Sequence, residues 1–250
     1  PHKELITATA TGIERSNYGQ WADRTRRLGG ALNDLGIKES GRVGTFAWNT
    51  ARHLELYFAV PCSNRVLHTL NIRLFADQIV YIANHAEDEV IFVDRSLMAL
   101  LWPLVDQLET VRHFVVMDDG DGEIPDDPRV IDYEELIAAA PAVDFEVRDE
   151  KQAASMCYTS GTTGNPKGVV YSHRSTYMHT ITTMTTDGLG VCESDVILPV
   201  VPMFHVNSWG LQHAAVAAGA TLVNPGPKLQ AQPIAELMES ERVTIAAGVP

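Results

Sequence analysis

Tyr158-Thr159-Ser160-Gly161-Thr162-Thr163-Gly164-Asn165-Pro166-Lys167-Gly168 gathers glycines, hydroxyls and one lysine into a single short loop. Gly161, Gly164 and Gly168 tolerate positive φ and let the backbone approach a ligand, and the N–H groups so freed form an anion-binding concavity. Three threonines and a serine add neutral donors, Lys167 adds a cation within reach of phosphate oxygens, and Pro166 stiffens the turn. Apolar residues precede the loop over 153–158, and Val169, Val170 and Tyr171 follow it, so it reads as a connection between two strands. A Walker A loop places Gly-Lys-Ser/Thr at the start of a helix. Here Pro166 precedes the lysine, and Gly168 and β-branched residues follow it, which argues against a P-loop NTPase. The bland alternative is a surface loop, as clusters of Gly, Ser, Thr and Pro commonly are.

Around this loop, short apolar runs alternate with helix-period segments. Trp21, Thr25, Leu28, Leu32 and Leu35 mark one helical face, with Gly36 as a C-cap. A strand follows over 43–47, a helix over 51–60 stopped by Pro61, a strand over 66–69 and a helix over 77–85. Strands over 89–93 and 113–117 flank a helix over 97–108. After the loop come a helix over 175–186, a strand over 195–201, a helix over 209–218, a strand over 220–224, a helix over 233–241 and a strand over 243–247. This βα series predicts an α/β fold of mainly parallel sheets flanked by helices. Residues 118–128 break the pattern with five aspartates, one glutamate, two glycines and two prolines. They read as a solvated loop within a domain, since the spacing lacks the downstream bidentate glutamate of a calcium loop.

Composition excludes several classes. A chain of 250 residues with 45% hydrophobic content can bury a large core. A net charge of −13 argues against a nucleic-acid partner, and any anionic ligand must be held by local donors. Cys62, Cys157 and Cys192 are far apart without a CxxC pair, which indicates neither a disulfide framework nor zinc and suits a reducing cytoplasm. No run of about 18 apolar residues suggests a transmembrane segment.

The loop resembles the phosphate-loop signature of the adenylate-forming superfamily, which includes acyl-CoA ligases, peptide-synthetase adenylation domains and luciferases. The resemblance extends from about Asn17 to Pro250. Val201-Pro202-Met203-Phe204-His205-Val206-Asn207-Ser208-Trp209-Gly210 is similar to the second family motif. Val66-Leu67-His68-Thr69-Leu70-Asn71 and Asn84-His85-Ala86-Glu87-Asp88 resemble the upstream half of medium- and long-chain fatty acyl-CoA ligases. The resemblance implies that residues 1–250 belong to one N-terminal adenylation domain of the acyl-CoA synthetase-like fold, with sub-regions about 1–150 and 151–250. The implied reaction uses ATP, Mg2+ and CoA: a fatty acid becomes an acyl-adenylate with release of pyrophosphate, and CoA then takes the acyl group as a thioester.

By the same resemblance, Thr159 helps hold the magnesium, and Ser160, Gly161, Thr162, Thr163 and Gly164 wrap the β- and γ-phosphates together with Lys167. On sequence alone, a histidine between Phe204 and Val206 reads as a core residue. The family match makes His205 a catalytic and substrate-contacting ring beside the carboxylate. Trp209, four residues on, shares that face if the segment is helical, and by resemblance gates the acyl tunnel; its alternative is a core aromatic. His173, His179 and His213 form no zinc-like spacing and read as ordinary residues. The family's adenine-binding strands, second magnesium ligand, ribose aspartate and C-terminal domain with its catalytic lysine have no counterpart here. The chain is therefore expected to be a fragment, inactive by itself, of a ligase that often forms homodimers. Alternatives are another adenylate-forming enzyme, aryl-CoA ligase or luciferase-like, and a non-catalytic nucleotide-binding relative.

Overall fold

Two sheets organise the chain, built from the β-branched and apolar runs of the sequence. The computed structural model describes residues 1–159 and 165–248. In chain order the elements are β1 (Glu4–Ala8), β2 (Ile13–Asn17), α1 (Tyr18–Asp34), β3 (Arg42–Phe46), α2 (Ala51–Cys62), β4 (Val66–Thr69), α3 (Ala76–Ala86), β5 (Asp88–Asp94) and α4 (Met98–Leu101). They continue with β6 (His113–Met117), β7 (Val130–Asp132), α5 (Tyr133–Ala139), β8 (Ala153–Thr159), β9 (Lys167–Ser172) and α6 (His173–Met184). The last are β10 (Val196–Pro199), α7 (Leu211–Ala218), β11 (Thr221–Asn224), α8 (Ala231–Ser240) and β12 (Ile245–Ala247).

The larger sheet runs β7-β6-β5-β3-β4-β8-β9 and the smaller β12-β10-β11-β1-β2. Only the β1–β2 and β8–β9 pairs are antiparallel among the described residues, each at a sheet edge. The mainly parallel α/β class expected from the sequence is what is found. Neither sheet stays on one side of residue 150: β1 and β2 join the strands after 195, while β8 and β9 complete the sheet begun at β3.

Both faces of the larger sheet are covered, which is why its central strands are apolar without alternation. On β5, Ile91 and Val93 enter one core cluster while Val90 and Phe92 enter the other, all fully buried. On β6, Phe114 and Val116 divide from Val115 and Met117 in the same way. The smaller sheet repeats the pattern, with Leu5, Ile197 and Leu222 on one face and Ile6, Leu198 and Val223 on the other.

α1 starts at a capping box, in which Asn17 accepts from the Gln20 amide at 3.0 Å and the Asn17 amide donates to Gln20 Oε1 at 3.2 Å. Its expected face of Trp21, Thr25, Leu28 and Leu32 is buried.

Several expectations are corrected. α2 runs through Pro61 to Cys62, because a proline in the last turn forfeits a single helical hydrogen bond and keeps a helical φ. The helix expected over 97–108 is instead a 3-10 turn, the short α4, and a second 3-10 turn over Trp102–Gln107. Pro103 removes an amide and crowds the carbonyl one α-turn back, so the chain tightens. The helix expected from Trp209 begins only at Leu211. β1, β2, β7 and α5 had no counterpart in the sequence reading.

Candidate active site

The β8–β9 pair places the two ends of the loop motif at the edge of the larger sheet. Thr159 and Lys167 are partners at its last rung, followed inward by Tyr158 with Gly168, Cys157 with Val169, and Ser155 with Tyr171. Residues directly opposite on antiparallel strands share a face, and alternate residues along a strand do too. One face therefore carries Ser155, Cys157, Thr159, Lys167, Val169 and Tyr171. The other carries Met156 and Tyr158 into the core. Thr159 and Lys167 are both exposed, and Lys167 forms no salt bridge among the described residues. Ser160, Gly161, Thr162, Thr163 and Gly164 lie outside the described residues.

The second motif leaves β10 and is pinned by a residue from the other end of the fold. Buried Asn49 donates from Nδ2 to the carbonyls of Pro199, at 2.9 Å, and Val201, at 3.0 Å, and its Oδ1 accepts from the Met203 amide at 2.6 Å. Tyr57 donates its hydroxyl to the Met203 carbonyl. Phe204 enters the core cluster that contains Met156 and Tyr158. The chain then makes a left-handed turn, with φ of 48° at Val206, 46° at Asn207, 51° at Ser208 and 54° at Trp209. Such a run is strained for residues with side chains and persists only where the surroundings hold it. Ser208 Oγ donates to the Val201 carbonyl at 2.6 Å, Asn207 Nδ2 to Ser155 Oγ at 3.0 Å, and Thr69 Oγ1 to Asn207 Oδ1 at 3.4 Å. The Val206 amide approaches the Cys157 thiol, whose pKa burial pushes up. Gly210 closes the turn at φ 69°, and a Cβ there would lie 2.7 Å from His179 Nδ1.

The turn thus packs against the face of β8 that ends in Thr159. His205 and Trp209 are both exposed on it, the tryptophan by 41%. The two do not share a helical face, because the intervening backbone is left-handed. No hydrogen bond joins either of them to Thr159 or Lys167 among the described residues. What is brought together is the pair of segments, Thr159 and Lys167 on the strand end and His205 to Trp209 on the turn beside it.

A cavity of about 350 Å³ opens under the turn, lined by Tyr171, Thr176, His179, Asn207, Trp209 and His213. A second, of about 250 Å³, lies between α2, α6 and α7 and is lined by Tyr57, Phe58, Leu67, Thr176, His213 and Val216. Burial pushes the His213 pKa down to about 4 and that of Tyr171 up to about 12. His213 is therefore a neutral wall and not an ordinary surface histidine. A further concavity, of about 690 Å³, is lined by Glu14, Arg24, Arg52, Glu55 and Glu134. Its arginines are already paired, Arg24 with Glu55 and Glu134, and Arg52 with Glu14 and Glu134, so it offers little free charge to a phosphate.

Asn49, Ser208, Asn207, Thr176 and His213 were not singled out as site residues from the sequence. Asn49 and Thr176 carry no local signal, whereas Asn207 and Ser208 lie inside the second motif. For Mg2+, a hard cation that keeps several waters and takes much of its remaining shell from phosphates, the exposed Thr159 hydroxyl is a fitting single oxygen donor. No cluster of three acidic, histidine or cysteine ligands occurs among the described residues.

Comparison with known proteins agrees with this architecture. The family described as AMP-binding enzyme matches residues 1–250, and the chain belongs to it. The chain is 45% identical over 251 residues to 3-methylmercaptopropionyl-CoA ligase of Ruegeria lacuscaerulensis, covering 99% of this chain and 46% of that protein. It is 46% identical over 249 residues to long-chain-fatty-acid–CoA ligase of Thermus thermophilus, covering 99% of this chain and 45% of that protein. The chain thus spans somewhat less than half the length of these relatives. An inhibitor-bound crystal structure of the N-terminal domain of FACL13 from Mycobacterium tuberculosis superposes with a TM-score of 0.83 at 25% identity, covering 100% of this chain and 60% of that one. No helix among the described residues is long and apolar enough to cross a membrane.

Proposed function

We propose that this chain is the nucleotide- and acid-binding part of an AMP-forming ligase that activates a medium- or long-chain fatty acid and passes it to CoA. The observation that carries this reading is the shared face of the β8–β9 hairpin: Thr159 and Lys167 stand at its open end, with the His205–Trp209 turn and an apolar cavity against it.

A carboxylate attacking the α-phosphate of ATP meets anion repulsion, so positioning and charge stabilisation must supply the rate. Lys167 neutralises phosphate charge, and the loop 160–164 supplies backbone and hydroxyl donors. Magnesium, when bound, offsets further phosphate charge, and Thr159 is the residue of this chain that would hold it. The carboxylate is already ionised at neutral pH, so no general base is needed. His205 donates a hydrogen bond to the carboxylate or the developing adenylate. The acid's oxygen bonds to the α-phosphorus, and the bridge to the β-phosphate breaks with its electron pair leaving on pyrophosphate. The CoA sulfur then bonds to the acyl carbon, its proton passing to water, and the acyl–oxygen bond breaks with its electron pair leaving on AMP. Trp209 lines the cavity that would take the acyl chain.

Pyrophosphate release from ATP by the full-length protein, with laurate, 3-methylmercaptopropionate and benzoate each supplied with and without CoA, tests the reading. Laurate-dependent release is expected. Preference for 3-methylmercaptopropionate or benzoate would reassign the acid, and release with none of the acids would favour a non-catalytic nucleotide-binding role.

A further inference from the structure

The two apolar cavities adjoin between α6 and α7, where Thr176 and His213 line both. On the α7 side the lining proceeds from Gly210 in the outer cavity through His213 in both to Val216 in the inner, a spacing of three that keeps one helix face. On the α6 side, His179 lines the outer cavity and Thr180 the inner, with Thr176 between them. His213 is wedged against the rings of Phe58 at 5.2 Å and Tyr57 at 5.7 Å, both inner-cavity residues. Its Nδ1 is buried without a partner, so no hydrogen bond at that atom holds the ring in the gap.

Resting on the fatty-acid reading above, we propose that Thr176 and His213 are the residues that set acyl-chain length. A short acid fits wholly in the outer cavity with its end against His213, and a longer unbranched tail reaches the apolar lining of the inner cavity past these two side chains. The occupant of the inner cavity is thus the uncharged terminal part of the acyl chain. Tyr57, Phe58, Leu67 and Val216 offer it apolar contact and no charge.

The test is a series of saturated acids from propionate to laurate, with kcat/KM for pyrophosphate release measured on the full-length protein and on the Thr176→Ala, His213→Ala and His213→Ala/Val216→Phe variants. A methylene in an apolar pocket changes the rate by roughly tenfold or more. Opening the partition with either single substitution is therefore expected to raise laurate relative to propionate by about that factor. Refilling the inner cavity with Val216→Phe is expected to cancel the gain. Equal changes for all acids, or a shift toward shorter ones, overturn the partition. Thermal melts identify any variant that fails to fold, and Thr176→Ala, a small change on an exposed helix, then decides the matter alone. If the unaltered protein releases pyrophosphate with no acid of the series, the fatty-acid reading fails instead, an outcome distinct from an active enzyme whose length profile does not move.

Discussion

The two segments that meet at the candidate active site are held in place by different means. Thr159 and Lys167 end a ladder of six cross-strand pairs, so their position is set by backbone bonding repeated along the hairpin. His205 and Trp209 sit on a left-handed turn held by a handful of side chains from distant elements, Asn49, Tyr57, Thr69 and Ser155 among them. A ladder loses little when one side chain changes, whereas a turn held by single bonds gives way when one of its holders is removed.

The sharpest way to break this comparison is to truncate one residue on each side. Asn49→Ala strips partners from the carbonyls of Pro199 and Val201 and from the Met203 amide, all next to the core. The Val201 carbonyl keeps the Ser208 hydroxyl, so the Met203 amide and the Pro199 carbonyl are the groups left short; at about 1–3 kcal/mol for an orphaned buried polar group, the variant should lose about 2 kcal/mol or more in urea unfolding. Lys167→Ala removes an exposed side chain and should change stability by less than about 0.5 kcal/mol. On the proposed ligase reading, the same change in the full-length protein should lower acid-dependent pyrophosphate release by about 10²–10³-fold. Equal destabilisation by the two substitutions would erase the distinction.

Acid should attack the two halves unequally as well. Burial lowers the pKa of His53 and of His213 from 6.5 to about 4. His53 is fully buried beside Asn49, with Nδ1 at 2.8 Å from the Trp48 carbonyl and Nε2 at 2.9 Å from Thr45 Oγ1, while His213 borders the turn. As pH falls below 6.5 the unfolded chain takes up protons that the folded one refuses until about 4. The stabilisation from keeping these rings neutral is therefore complete above that window and lost within it. Each ring contributes up to ~1.4 kcal/mol per pH unit there. His213→Gln should flatten the pH dependence of the urea midpoint, and a slope unchanged by it would show that the ring titrates freely.

How much of this was legible in the sequence follows the same divide. The hairpin was readable because its signal is local: a glycine- and hydroxyl-rich turn between two apolar runs. The central strands were readable because a sheet covered on both faces needs unbroken apolar residues. β2 was not, since Ile13-Glu14-Arg15-Ser16-Asn17 carries no alternation and pairs only at an edge. Nor was the left-handed turn, where only Asn207 of residues 206–209 is a type that tolerates such φ, so the helical condition for His205 and Trp209 to share a face is not met. The role of Asn49 depends on contacts some 150 residues away in sequence, which no local pattern encodes.

A smaller effect comes from Ser208→Ala, which removes the hydroxyl bonded to the Val201 carbonyl at 2.6 Å and should cost about 1 kcal/mol.

The finest discrimination comes from glycine at two neighbouring positions of the turn. Val206 holds φ of 48° and Asn207 of 46°, so glycine relieves about 1–2 kcal/mol of backbone strain at the β-branched Val206 and less at Asn207, a residue type that tolerates such φ. It also adds freedom to the unfolded chain, which offsets about 0.5–1 kcal/mol of that relief. Val206 is 38% exposed, so Val206→Gly gives up little burial and should be neutral or slightly stabilising. Asn207→Gly gains less relief and also loses the bonds to Ser155 and Thr69, and should end about 1–2 kcal/mol less stable than Val206→Gly. The difference between the two variants reports what the Asn207 side chain contributes, through its bonds and through its tolerance of this φ. Equal stability of the two would mean that the turn is held by its own backbone, as the hairpin is, and the two segments would then differ in shape but not in how they are secured.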